Sequence, residues 1–159
     1  MEENDVIIEH PNREKASSKA TKAAVLALLL VSVALMLIVI VGGWDVLAGA
    51  KPIEIAYVLI YLIMAYYVWR WNRGVLPVAA ALAIILLIFA AVAVPGWVDR
   101  DATGFAQPAI DAGVLAFVTA LLIPVQLLLI GFAMRAFNQA WNVEIERTAP
   151  DSRSTPQPA

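Results

Sequence analysis

The sequence predicts an all-α, polytopic integral membrane protein: four transmembrane helices in an up-down bundle, with both termini in the cytoplasm. Three observations predict it. Four long apolar runs carry almost no charge, the third has no polar face, and lysine and arginine fall unevenly between the connecting segments. Of 159 residues, 62% are hydrophobic and 15% charged. A soluble domain holds about 45–50% and about 25%, so the apolar excess is more than a water-soluble fold hides.

The elements follow in chain order. Residues 1–21 are polar and mixed in charge, too poor in apolar surface to fold alone, and are expected to be a disordered cytoplasmic tail. Residues 22–147 form the transmembrane domain, with spans at about 23–43, 53–71, 75–95 and 109–135. The first is built on Ala23–Val41, where Ser32 is the only hydroxyl. This run exceeds the 7–15 residues of a signal-peptide core, and acids precede it, so it is read as a retained span. The second, Ile55–Trp69, recruits Ile53 across Glu54. The third, Val75–Val94, is Ala, Val, Leu, Ile and Phe around one proline, with no polar side chain on any face. A soluble helix would show one. The fourth, Ala112–Met134, is interrupted only by Thr119, Pro124 and Gln126. About 20 apolar residues cross the hydrocarbon core, and without water the backbone must close its hydrogen bonds as helix. No helix breaker follows Arg135, so the last helix is expected to extend to about 147. Residues 148–159 form a second disordered tail.

The short Trp71–Gly74 link makes spans two and three antiparallel neighbours. Arg13, Lys15, Lys19, Lys22, Arg70, Arg73, Arg135, Arg147 and Arg153 fall on one side; Lys51 and Arg100 fall on the other. The positive-inside rule puts the first group in the cytoplasm of a multi-pass cell-membrane protein. In lipid, helices associate through small residues and hydrogen bonds. Ala79, Ala83, Ala90 and Ala93 should therefore face a partner helix, with Ile84, Ile85, Ile88 and Val92 toward lipid. Ala112, Thr119, Gln126 and Ala133 form the seam of span four.

Several chemistries are excluded. With no cysteine and one histidine, the chain lacks the ligands of iron–sulfur clusters, thiolate zinc and bis-histidine haem, and it has no Cys–His pair. No cofactor is expected. A net charge of −2 gives no footing for nucleic acid. Glu54, Tyr57 and Tyr61 share a face of span two, which with Thr119 and Gln126 is the candidate polar intramembrane or interfacial face. Tyr66, Tyr67, Trp69 and Trp71 with Arg70 and Arg73 read as an aromatic belt. Pro124 is the candidate kink. Phe137, Trp141 and Ile145, at helical spacing beyond span four, are the candidate stripe for docking a partner.

Asp99-Arg100-Asp101-Ala102-Thr103-Gly104 resembles the start of a calcium loop. The twelfth position, where a bidentate glutamate belongs, is Ile110. The same string is similar to the nucleophile motif of haloacid dehalogenase-type phosphatases, whose chemistry requires an α/β domain this loop is too short to supply. Small multidrug resistance transporters also have four spans, but are built around a glutamate in the first; span one here has no acid.

The expected function is therefore non-catalytic: a small integral membrane protein serving as scaffold or accessory subunit of a membrane complex. Its contacts would be the bilayer and a membrane-protein partner or a second copy. The alternative is a small transporter or lipid- or hydrophobe-binding protein using the polar face of spans two and four. The cysteine-free chain makes the topology directly testable. A membrane-impermeant maleimide should label Ala106→Cys in intact cells, and Ser154→Cys only after permeabilisation; the reverse pattern inverts the orientation.

Overall fold

The computed structural model describes residues 6–100 and 104–148. Each apolar run is a helix: α2 (Ala16–Gly42), α3 (Lys51–Trp69), α4 (Val75–Arg100) and α5 (Ala112–Asn138). All four are long and apolar enough to cross a membrane, as the need to satisfy every backbone group internally requires. Ahead of them lie a strand β1 (Val6–Glu9) and a single turn α1 (Pro11–Glu14), and after them a strand β2 (Ile145–Thr148). The two strands pair antiparallel, Val6 opposite Thr148 and Glu9 opposite Ile145.

Contacts along the helices give their directions. Thr21 meets Gln139, Ser32 meets Gln126, and Gly42 meets Ile110, so α2 and α5 run antiparallel. We call the end near the strands the ribbon end and the other the far end.

Three expectations about the elements are corrected. The last helix does not reach residue 147; it stops at Asn138. Ala140 then turns left-handed at φ 49°, a conformation costing roughly 1–2 kcal/mol for an L-residue. Asn12 Nδ2 donates to the Ala140 carbonyl at 3.0 Å and Arg13 Nε to the Trp141 carbonyl at 2.9 Å, which holds the reversal. Residues 6–21, expected to be disordered, form β1, α1 and the first turns of α2. Ser18 and Thr21 are buried there, and Thr21 Oγ1 accepts from Gln139. The third span also passes through Pro95 to Arg100, because Trp97 anchors the added turn against Val39 and Leu115.

Neighbour order is the fourth correction. Although α3 and α4 are joined by a short turn, α4 packs mainly on α5 and hardly on α3; α2 lies against both α5 and α3. Close approach explains this. Ala79, Ala80, Ala83 and Ala90 of α4 are buried, as are Ala112, Ala116, Ala133 and Ala136 of α5. The buried face of α3 is larger, with Tyr57, Val58, Tyr61, Met64 and Val68. Small faces let backbones approach, and dispersion between them is what holds helices together in lipid. Ile84, Ile85, Ile88 and Val92 lie on the exposed side of α4, and Ala93, expected among the buried alanines, is exposed.

The ribbon end is tightly closed. Trp141 is completely buried and meets the Trp71 ring edge-on at 5.1 Å. Trp71 is itself left-handed, at φ 62°, and Lys22 Nζ lies 4.0 Å from its ring centroid. Arg73 Nε donates to the Phe137 carbonyl at 2.8 Å, and its guanidinium carbon sits 4.0 Å from the Phe137 ring centroid. A cation on the last carbonyls of α5 also complements the helix dipole. Of the expected belt, Tyr66, Tyr67 and Trp69 are exposed; Trp71 and Arg73 belong to this plug.

Ala83→Leu should overpack the closed alanine interface and lower stability by about 1–3 kcal/mol. Ile85→Leu, on the exposed face, should change it little. Thermal unfolding in detergent distinguishes the two.

Candidate functional site

The five residues of the expected polar face separate into two groups. Tyr61 and Gln126 are fully buried and close on each other: the Tyr61 hydroxyl donates to Gln126 Oε1 at 2.8 Å. Gln126 Nε2 donates to Ser32 Oγ at 2.8 Å, and Ser32 Oγ in turn donates to the Leu28 carbonyl at 2.7 Å. Three helices, α2, α3 and α5, are thereby tied by one satisfied polar chain. A lone glutamine in hydrocarbon is costly unless its amide is paired, so this chain, in which each polar side-chain atom has a partner, is a structural lock. Ser32 was visible in the sequence only as the single hydroxyl of span one; nothing in its spacing pointed to Gln126.

The other three, Glu54, Tyr57 and Thr119, line a cavity of ≈ 500 Å³ at the far end. It occupies the gap left where α4 turns toward α5 and away from α3. Its walls are mostly apolar, among them Leu86, Phe89 and Leu122, with Trp97 and Arg100 from the last turns of α4. Phe89 is 47% exposed and Ala93 is also exposed, so the α4 edge of the cavity borders the outer surface of the bundle, where the Phe89 ring meets Tyr57 of α3 edge-on at 6.3 Å. Thr119 turns its hydroxyl back to the Leu115 carbonyl at 2.7 Å. The Tyr57 hydroxyl reaches the Leu82 carbonyl at 3.5 Å, the outer limit of a hydrogen bond. Glu54 differs: its Oε2 is enclosed and accepts no hydrogen bond.

The third span predicted from sequence ends at 95, so the sequence does not place Trp97 and Arg100 on α4 or in the cavity wall. The signal available was Trp97-Val98-Asp99-Arg100 itself, which contains no helix breaker. Trp97 also fixes the loop after α2, since a side chain at Gly43 would come within 2.6 Å of its ring.

Pro124 lies inside α5, which runs through it to Asn138. The stripe expected to dock a partner does not exist as one helical face. Phe137 is half-buried beneath Arg73, Trp141 is sealed in the plug, and only Ile145, on β2, is exposed. The calcium-like string places Asp99 and Arg100 on α4, whereas Asp101, Ala102 and Thr103 lie outside the described residues. Among the described residues, no three His, Asp or Glu side chains converge as a metal site would need.

Fold and cavity together define a multi-pass membrane protein with a mostly apolar cavity at its far end. Compared with family models, curated proteins and solved structures, the chain matches none.

Gln126→Leu should remove two interhelical hydrogen bonds. Such bonds in membranes average about 0.6 kcal/mol each, so the expected loss is on the order of 1 kcal/mol. Tyr61→Phe, which removes one, should lose about half as much in the same unfolding assay.

Proposed function

We propose that the protein binds a hydrophobic ligand from the bilayer in the crevice between α3 and α4, without chemistry of its own. The setting is a cell-membrane, up-down four-helix bundle with both termini cytoplasmic, so that the crevice lies toward the outer leaflet. The observation that carries this reading is the ≈ 500 Å³ cavity, mostly apolar and with the exposed residues Phe89 and Ala93 along its α4 edge. Its size is within the roughly 300–1,000 Å³ of small-molecule sites, and only a few polar side chains, Glu54, Tyr57, Arg100 and Thr119, interrupt its apolar lining. The accessory-subunit reading draws no support from the surfaces that suggested it. The alanine stripe is largely covered within the chain, and Trp141 is buried.

Filling the crevice tests the proposal. A side chain at Gly96, which lines the cavity, meets nothing within 4 Å of its first carbon. Gly96→Phe and Ala93→Phe should therefore keep the fold and exclude the ligand. Native mass spectrometry after exhaustive detergent exchange should find about one lipid retained per wild-type chain and none on either variant. Equal retention by all three would refute the crevice as the site.

A further inference from the structure

We infer that the crevice selects a zwitterionic phospholipid bearing a primary ammonium group. This rests on the proposed function and adds the identity of the headgroup. Two charged side chains line the cavity, Glu54 from the first turn of α3 and Arg100 from the last turn of α4. They have opposite signs, and the Arg100 guanidinium carbon lies 6.0 Å from the Trp97 ring centroid. Neither engages in an ion pair among the described residues. The nearby Lys51 is turned to the Trp44 ring, 4.5 Å from its centroid, and the Asp111 carboxylate is occupied capping α5.

A carboxylate beside apolar walls, with one oxygen enclosed and unpaired, lacks the partner that partly buried charges need. A purely anionic headgroup on Arg100 would bring a second negative charge toward Glu54. A purely cationic one would meet Arg100. A phosphate on the guanidinium with an ammonium on the carboxylate satisfies both, and guanidinium is well suited to phosphate geometry. The ammonium must carry N–H groups, because in its ionised form Glu54 is an acceptor without a donor; a trimethylammonium group provides none.

The apolar walls continue from these charges in the direction an acyl chain would take. From Arg100 to Leu86, α4 advances about 21 Å, more than half of the roughly 30 Å hydrocarbon core. The exposed edge at Phe89 and Ala93 lets the chain enter from the bilayer without leaving hydrocarbon.

The full-length protein is exchanged into detergent containing equal amounts of phosphatidylethanolamine, phosphatidylcholine and phosphatidylglycerol of identical acyl chains, and the retained lipid is weighed by native mass spectrometry. The wild type should prefer phosphatidylethanolamine over each of the others on the order of tenfold, about what one hydrogen bond to a charged group contributes. Glu54→Gln should bring phosphatidylethanolamine down to the phosphatidylcholine level, and Arg100→Gln should weaken all three. Retention of the three lipids in equal amounts by the wild type, abolished by Gly96→Phe, overturns the headgroup assignment and leaves the crevice standing as a hydrophobe site. Retention that Gly96→Phe does not alter overturns both. The wild-type ratio decides the matter even if a variant fails to fold.

Discussion

Inside a bilayer, lipid tails compete for a leucine as well as another helix does, so the distance to which two backbones can approach governs which helices pair. The remainder of this structure follows from that constraint acting on α4. Its buried alanines bring it onto the small-residue face of α5, away from α3, its neighbour in sequence. Because α3 presents tyrosines, methionine and valines, it stays against α2. The gap between α3 and α4 is a consequence of this unequal packing, and the cavity is that gap.

The two ends of the molecule are opposite in character. At the ribbon end, Trp71, Trp141, Arg73 and the paired strands fill the space between helices, and two left-handed residues are held by hydrogen bonds from α1 and by the ring contact. Midway, Tyr61, Gln126 and Ser32 close on each other and leave no polar atom seeking a partner. At the far end Glu54 retains an unpaired oxygen beside an open apolar space. A polar group spent on cohesion is satisfied by the protein; one available to a ligand is not. On that criterion the middle of the molecule is scaffold and the far end is the proposed site.

The corrected elements have a shared cause. Helix continuation beyond Met134 was read from the lack of a breaker, yet α5 stops at Asn138, where Trp141 can be buried only if the chain reverses. The apolar run predicts a third span ending at 95, yet α4 continues to Arg100 because Trp97 packs against Val39 and Leu115. The first residues looked too polar to order, yet Asn12 and Arg13 bind carbonyls that a chain segment about 128 positions away presents to them. In each case a contact distant in sequence outweighed a local preference.

What the residues alone conveyed was the solvent. Uncharged runs of sufficient length require helices in hydrocarbon, and the alanine, isoleucine and tyrosine periodicities identified which faces are covered and which are bare. Those are properties of a helix taken one at a time. Which helices touch, and therefore whether Glu54, Tyr57 and Tyr61 form one site or two, depends on side-chain bulk summed across two facing surfaces. Spacing along one chain segment does not contain that sum, so the division between a sealed lock and an open crevice emerged only when the helices were packed together.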